Sequence, residues 1–343
     1  AAPVNLSHPD STLDNRTNYT IKGLTGSGVV TSLEDSTTVR TLTINVDANQ
    51  TYTFNGTIKN LASVIWGYSY HAVTKAGPGT QVLTGNNSYV NTTTISGGVL
   101  RANDGAGLPS ASPLVLAGGV LEGIGTTSFT RALGTGAGQV NWTAAGGFSA
   151  TGGKMTVNLG GAGAGVTWDT GGFVSGANAL ILSGATATNI TEFVNPIAVG
   201  GAGTPARTIL VNDNPGSTTD KAVLTGNLTG GGATGRPLIK AGDGTLEING
   251  PNNTIMGDLS ITGGTVQLGG NAPNLLNVSG AGNLTLAGTA AVTANHVRVG
   301  TLALQGSSTL TIRANGGNAG VSKVTSLSFA PPPPPPAPPM NIL

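Results

Sequence analysis

The residues that could carry out chemistry are few and scattered in this sequence. Hydrolysis of a glycosidic bond needs two carboxyl groups close together, and a calcium site needs a cluster of oxygen ligands. The chain of 343 residues has 14 Asp and Glu residues, and the only adjacent pair is Glu34 and Asp35. No two acids have a short strand spacing that suggests either site. The sequence therefore predicts no catalytic carboxylate pair and no calcium site.

The other reactive side chains give no stronger signal. His8, His71 and His296 lie far apart, without the paired spacing of a metal site, and the chain has no cysteine. No G-x-S-x-G nucleophile motif occurs. The segment GGGATG at 230–235 fits G-x-G-x-x-G, but no helical pattern or acidic partner follows it, so we expect a turn. We predict no enzyme activity, no metal ion and no cofactor.

One group of aromatic residues has a regular spacing. Trp66, Tyr68 and Tyr70 alternate in IWGYSYH at 65–71, and every second side chain of a β-strand lies on the same face. The shared face is either a core or cap patch or an exposed strip that stacks on sugars or packs against another subunit. The second alternative makes the three residues candidate assembly or glycan contacts.

The elements that would position these residues are short β-strands. Apolar residues alternate with Thr, Asn, Ser and Gly in runs of three to six residues, as at Leu42, Ile44 and Val46, and Gly or Asn bounds each run. No stretch longer than ten residues keeps a helical period with caps. No run of about 18 apolar residues occurs either. The sequence predicts an all-β protein that does not insert into a membrane.

A phrase of the sequence occurs twice, once in each half of the chain. KAGPGTQVLTGNNSY at 75–89 corresponds to KAGDGTLEINGPNNT at 240–254, and TISGGVL at 94–100 corresponds to SITGGTVQL at 260–268. Such self-similarity is typical of a solenoid, in which each coil buries its apolar face against the next coil. Gly and Asn suit the positive φ angles that the corners of a coil require. We therefore predict that the phrase is scaffolding rather than a site.

The second copy of the phrase resembles a known repeat. Residues 240–268, with Lys-x-Gly-x-Gly-Thr-Leu, a Gly-plus-Asn turn and then Leu-x-Ile-x-x-Gly-x-x-x-Leu, look like the autotransporter-associated β-strand repeat. Residues 75–100 are similar, but Gln81 stands where the second copy has Leu246, so we expect a distorted strand start there. The stretch at 108–123 resembles what usually follows this repeat. The resemblance implies a right-handed parallel β-helix, a passenger segment of a larger secreted or surface protein of bacteria.

The sequence divides into three predicted regions. Residues 1–20 form an extended N-terminal segment, and residues 21–330 form the β-solenoid with Gly/Asn-rich turns, including related modules at about 21–122 and 206–270. Residues 331–343 form a proline-rich tail with an extended polyproline II conformation. The start of the chain, with no Met and two small residues, resembles the end that signal peptidase leaves, which favours export. Simple trimming of the chain is the alternative.

Our first hypothesis is a non-enzymatic structural protein, secreted or at the cell surface of a bacterium, that self-associates into a filament or coat. A solenoid end presents unpaired backbone groups and apolar faces, so it must be capped or must stack on another copy. Head-to-tail stacking propagates into a fibre. The predicted connectors are residues 1–20 and the tail, with these candidate contacts: Pro331, Pro332, Pro333, Pro334, Pro335 and Pro336.

Two alternatives remain open. A monomeric adhesin or passenger stalk would have the same fold, with other domains at its ends and the tail as a linker, and an exposed aromatic strip that binds surface glycans would favour it. A β-helix enzyme acting on polysaccharides ranks third, because charged residues make up only 8% of the chain. The net charge is +1 and the basic residues are scattered singly, so we expect no nucleic-acid partner.

Overall fold

In the computed structural model, the part of the chain described consists of residues 2–32, 38–60, 62–63, 67–68, 70–200, 205–231, 238–270, 275–294, 296–312 and 323–329. These residues form 37 β-strands and no helix, and so they contain no helix that could cross a membrane. The strands of successive coils lie parallel to one another. The protein is a parallel β-helix, and the predicted all-β solenoid is confirmed.

The longest series of paired strands runs through the whole described chain, and we call it the long ladder. Its strands are β1 (Val4–Leu6), β4 (Leu24–Gly26), β7 (Thr51–Phe54), β12 (Thr80–Leu83), β14 (Val99–Arg101), β16 (Val120–Ile124), β19 (Gly146–Thr151), β22 (Ala179–Leu182), β25 (Arg207–Leu210), β28 (Leu238–Ala241), β30 (Thr254–Ile261), β32 (Leu275–Ser279), β35 (His296–Leu304) and β37 (Lys323–Phe329).

Two further ladders form other faces of the solenoid. The N-terminal ladder contains β3 (Tyr19–Ile21), β6 (Val39–Asn45), β11 (Tyr70–Ala76), β13 (Thr93–Ile95), β15 (Leu114–Leu116) and β18 (Val140–Trp142). The C-terminal ladder contains β17 (Thr127–Phe129), β20 (Met155–Val157), β23 (Ile190–Phe193), β26 (Lys221–Leu224), β29 (Thr245–Ile248), β31 (Thr265–Leu268) and β33 (Asn283–Leu286), and it continues into the second halves of β35 and β37.

Shorter ladders complete the coils. They comprise β2 (Thr12–Asp14), β5 (Val29–Thr31) and β8 (Thr57–Ile58); β21 (Val166–Thr167), β24 (Ile197–Ala198) and β27 (Leu228–Gly231), which leads into β30; and β34 (Ala291–Ala294) with β36 (Thr309–Ile312). One pair of named strands is antiparallel, and it consists of β9 (Ala62–Ser63) and β10 (Gly67–Tyr68).

The alternating pattern of the sequence builds the core. Leu42, Ile44 and Val46 are fully buried, whereas Thr43 and Asn45 between them are partly exposed. Successive side chains of a strand point to opposite faces, so each coil contributes every second residue to the interior. The pairing of equivalent residues in adjacent coils then stacks apolar side chains in rows along the solenoid. This stacking explains why the chain needs neither helices nor disulfides to form one continuous core.

Glycines stack at the corner that follows the repeated phrase. Gly85 and Gly250 occupy the same position in the two copies, ten residues after the Lys. A Cβ atom on Gly85 would lie 1.8 Å from the carbonyl oxygen of Gly56, and one on Gly250 would lie 2.7 Å from that of Gly226. Only glycine lets consecutive coils approach this closely, which is the physical reason why the two copies share a glycine at this position.

The coils differ in length. Arg101 and Glu122 lie on adjacent coils and are 21 residues apart, whereas Thr156 and Glu192, also on adjacent coils, are 36 residues apart. Near the end of the described chain the coils are short again, because a hydrogen bond between neighbouring coils there joins residues that are 22 residues apart. The solenoid is therefore widest in its middle.

Aromatic side chains fill the wide middle coils. The rings of Trp142 and Phe148 pack edge to face with centroids 5.9 Å apart, and Phe173 lies 5.3 Å from Trp142 and 5.7 Å from Trp168. All four residues are buried. Large rings occupy the extra cross-section that small aliphatic side chains would leave empty, and such cavities are destabilising.

The two copies of the phrase lie on different faces. Lys75 belongs to β11 in the N-terminal ladder, and the next strand, β12, belongs to the long ladder. Lys240 belongs to β28 in the long ladder, and the next strand, β29, belongs to the C-terminal ladder. The shift between these two pairs of ladders occurs at β19. Residues 147–151 of this strand pair with β16 before it, and residues 146–148 pair with β22 after it. The second copy is therefore shifted by one face around the solenoid.

The solenoid begins inside the segment predicted to precede it. β1 pairs with β4, β2 with β5 and β3 with β6, so residues 4–21 already form a coil. The boundary placed at residue 20 is therefore too late in the chain. The three strands of this first coil have three residues each and are separated by polar stretches that include Pro9. Such short strands show too little alternation of apolar and polar residues to be recognised in the sequence. The predicted tail at 331–343 lies outside the described residues.

Candidate functional site

Two lysines of the repeated phrase are fully buried in cages of backbone carbonyl groups. Burial lowers the pKa of Lys75 and of Lys240 to about 8, so both remain protonated at neutral pH. Only the ammonium form has three N–H donors, which matches three acceptors. Each Nζ atom donates to three carbonyl oxygens: Lys75 to those of Ala76, Gly77 and Gly97, and Lys240 to those of Gly242, Gly244 and Gly263.

Each cage joins two coils. Gly97 and Gly263 lie in the coil that follows the lysine, whereas the other carbonyl groups belong to the corner next to it. A lysine whose three donors are all used inside the wall has none left for a substrate. The lysine of the phrase is therefore a structural residue.

The last asparagine of each phrase also acts between coils. The backbone N–H of Ile58 donates to Oδ1 of Asn87 at 2.7 Å, and that of Leu228 donates to Oδ1 of Asn253 at 2.9 Å. Both asparagines are buried and both bind the preceding coil. The polar residues of the phrase thus satisfy backbone groups at corners, as expected if the phrase is scaffolding.

A buried carboxylate lies on the outer side of the long ladder. Oε1 of Glu122 accepts a hydrogen bond from Nε of Arg101 at 2.5 Å, and Oε2 accepts from Ser149 Oγ at 2.9 Å and Thr186 Oγ1 at 2.8 Å. The side chain of Glu122 has no solvent exposure, because residues 183–188 lie across it. Both carboxylate oxygens have partners and neither reaches a substrate. The group anchors the covering segment.

Two buried arginines hold loops of the wide middle coils. Arg131 forms an ion pair with Asp104 at 2.6 Å, and Arg207 forms one with Asp169. Each guanidinium also donates to backbone carbonyl groups of neighbouring loops. The guanidinium of Arg207 lies 5.7 Å from the ring centroid of Trp168, within the range of a cation–π contact. These pairs are structural, and sequence analysis missed them because the partners are 27 and 38 residues apart.

Within the described part of the chain, His71 is a histidine in an unusual environment. It is fully buried, its Nδ1 lies 3.4 Å from Nδ2 of Asn15, and its Nε2 has no hydrogen-bond partner in that part of the chain. Burial lowers the pKa of His71 to about 4, and the nearby carboxylate of Asp14 opposes this shift. The imidazole is therefore neutral at physiological pH. No group of three potential metal ligands occurs among the described residues.

A shallow cleft of about 200 Å³ lies beside the segment that covers Glu122. Its apolar wall is formed by Val99, Val120 and Ile181, and corner glycines and Asn212 complete it. The lining contains no ionisable side chain. General acid–base chemistry needs a titratable group within hydrogen-bond reach of the substrate, and this cleft offers none.

The structure separates the predicted aromatic contacts. Tyr68 belongs to β10 and pairs with Ala62 in the antiparallel pair, whereas Tyr70 begins β11 in the N-terminal ladder, where it is partly exposed beside Val39. Tyr68 and Tyr70 therefore lie in different sheets. Trp66 and Pro331 to Pro336 lie outside the described residues. A role of these residues in assembly or glycan binding stays a prediction.

Comparison with known proteins identifies the repeated unit. Residues 73–102 and 238–268 each match the family model of the passenger-associated-transport-repeat. The two matches contain Lys75 and Lys240 with their cages, and they confirm the resemblance deduced from the phrase. They cover well under half of the chain. No curated protein and no solved structure matches the chain.

Replacement of a caged lysine by an apolar residue of similar length is expected to destabilise the solenoid. Lys240→Met should lower the free energy of unfolding by about 2 kcal/mol, because three buried carbonyl groups lose their donor. The matched control is Lys221→Met, which removes a lysine of the outer surface that pairs with Glu247. The control should lose less than about 1 kcal/mol. Equilibrium urea denaturation followed by circular dichroism measures both, and equal losses would contradict the structural role of the cage.

Acidification is expected to destabilise the fold through His71. The unfolded chain binds a proton at about pH 6.5, whereas the folded chain binds it at about pH 4, so stability is lost as the pH falls between these values. Between pH 7 and pH 4, the wild type should lose up to about 3 kcal/mol more than His71→Gln. His8→Gln, at an exposed position, is the control and should keep the wild-type profile. Parallel urea-denaturation profiles for wild type and His71→Gln would refute the assignment.

Proposed function

We propose that this chain is a segment of an autotransporter passenger, a non-enzymatic β-solenoid that is secreted or displayed at the surface of a bacterium. One observation carries the proposal. The characteristic polar side chains of both matched repeats, the lysines and asparagines, make their hydrogen bonds to backbone groups within the solenoid wall. The repeat thus builds a rod, and the residues that define it are not presented to a substrate.

The rest of the described chain supports a structural role. The buried charged groups Glu122, Arg131 and Arg207 have partners within the wall. The cleft beside Ile181 has no ionisable lining. Each coil adds about 4.8 Å along the axis, so a modest number of residues produces a long and stiff spacer. Such a stalk would hold other parts of a surface protein away from the cell.

Self-association into a filament or coat is the more specific form of the proposal. Tyr19 pairs with Leu42, and Leu42 pairs with Val73, so all three belong to one inward-facing row. Leu42 and Val73 are fully buried, but Tyr19 is 50% exposed. An inward-facing aromatic ring at the rim of the first coil offers an apolar surface to the last coil of a second copy. Residues 1–20 and Pro331 to Pro336 remain the proposed connectors.

The passenger role predicts display on a cell. The chain, placed between a signal peptide and the translocator of a known autotransporter, should reach the surface of a Gram-negative host in folded form. Protease added to intact cells then measures how much of the chain is outside, and a known passenger in the same vector is the control. Retention of the chain in the periplasm while the control is displayed would contradict the proposal.

Filament formation predicts an effect of Tyr19. Fibres seen by negative-stain imaging of the full chain should disappear in Tyr19→Lys, because a charge at the stacking face is costly to bury. The matched control Thr53→Lys changes an exposed side position and should leave fibres intact. A version ending at Ala330 tests the tail in the same way. Single rods from every version would favour the monomeric adhesin stalk, and glycan binding by Trp66, Tyr68 and Tyr70 would then be the next measurement.

A further inference from the structure

Exposed apolar side chains are concentrated in the first four coils. Among the large apolar residues whose side chains the structure describes, three are exposed: Tyr19 at the rim of the first coil, Val39 at 42% and Val90 at 44%. Each belongs to a strand of the N-terminal ladder or closely precedes one. A single exposed valine has no special meaning, but a group of apolar residues on one face marks a contact surface.

Val39, Tyr70 and Val90 occupy corresponding positions in three consecutive coils, and we call them the apolar row. Val39 pairs with Tyr70 in the register of β6 and β11. Val73 pairs with Thr93 in the register of β11 and β13, and Tyr70 and Val90 each lie three residues before these partners. Because Val73 is buried and successive side chains alternate, Tyr70 and its partner Val39 lie on the outer face, where Tyr70 is partly exposed.

A run of prolines follows the opposite end of the solenoid. β37 ends at Phe329, and residues 331–339 read PPPPPPAPP. Proline has no N–H group, so we expect this segment to leave the coil rather than pair as a further strand of a ladder. In the polyproline II conformation predicted from the sequence, it is a stiff rod of about 28 Å. Such rods dock on apolar surfaces that contain aromatic side chains.

The proline rod is too short to reach the apolar row of its own chain. Nine steps of the long ladder separate β14, the strand that follows Val90, from β37. At about 4.8 Å a step, this separation is about 43 Å, and Tyr70 and Val39 lie farther away still. A proline rod bound to this row therefore has to come from another copy of the chain.

In a head-to-tail stack the length of the rod matches the apolar row. Let the first coil of a second copy continue the long ladder one step beyond β37. Val39, Tyr70 and Val90 of that copy, which precede β7, β12 and β14, then lie about 14, 19 and 24 Å beyond β37. All three levels fall within the length of about 28 Å that the rod spans.

The chain also leaves the solenoid toward the correct face. In the last coils, the ladder of β34 and β36 lies between the C-terminal ladder and the return to the long ladder, since β34 follows β33 and precedes β35. In the first coils, the strand before each long-ladder strand belongs to the N-terminal ladder, as β6 precedes β7. These two ladders occupy the same face relative to the long ladder. β37 ends in the C-terminal ladder, so the next face along the path of the chain is this one.

We propose that the proline segment 331–339 of one copy binds the apolar row of the next copy in a head-to-tail stack. The proline rings pack against Val39, Tyr70 and Val90 along the outer side of the N-terminal ladder. The rod is already extended before it binds, so docking costs little conformational entropy. The inference rests on the proposed self-association and specifies a side contact that holds successive copies together.

The chain has no cysteine, so engineered cysteines can test this contact by disulfide cross-linking. One full-length chain carries Val90→Cys, and a second, with a different tag, carries Ala337→Cys, which lies at about the level of Val90 in the stack. After mixing and mild oxidation, the disulfide between the two tagged chains is expected to form severalfold faster than with Thr53→Cys. Thr53→Cys is the matched control, because Thr53 is exposed on the long ladder. Circular dichroism establishes that each variant keeps the fold.

Equal cross-linking rates for Val90→Cys and Thr53→Cys would overturn the proposal. A disulfide within single chains of the double variant Val90→Cys/Ala337→Cys would also overturn it, because the segment would then reach its own row. Negative-stain images of the wild type separate this failure from that of the proposed self-association. Fibres without the specific cross-link would retain end-to-end stacking and reject the side contact, whereas the absence of both would reject the self-association and the side contact together.

Discussion

A parallel β-solenoid satisfies its backbone by pairing each strand with the strands of the coils before and after it, but the chain must leave the ladder at every corner. Carbonyl groups at those corners still need donors when they are buried. In this protein the side chains of Lys75 and Lys240 donate to them, and Asn87 and Asn253 accept from the preceding coil. The strands, the stacked core and the close approach of the coils all depend on these corner bonds.

Sequence could predict the features whose information is local. Alternation at Leu42, Ile44 and Val46 indicated strands, and the twofold phrase around Lys75 and Lys240 indicated a solenoid, because each pattern needs only a few adjacent residues. The structural role of the phrase could also be predicted, because Gly and Asn at fixed positions suit the corners of a coil. Local periodicity is a reliable guide in a fold that repeats one short unit.

Features that join distant residues could not be predicted. Glu122 and Thr186 are 64 residues apart, and nothing near either residue indicates that they bind each other. The lengthening of the middle coils moves Phe148 against Leu182, and it depends on how many residues are inserted at corners rather than on any motif. The first coil was missed for a related reason, because β1, β2 and β3 are each too short to show a period. Side chains of Tyr68 and Tyr70 were grouped by spacing alone, although a change of sheet lies between them.

The shift at β19 has a consequence for how many partners the rod could engage at once. Two copies of the same repeat would form a bivalent surface if both faced the same way, and a single flat partner could then bind both with the avidity of a linked pair. Here the outer surface of the first copy and that of the second are turned to different faces of the solenoid. One flat partner cannot engage both. Duplication of the repeat has thus increased the reach of the rod without doubling its valency.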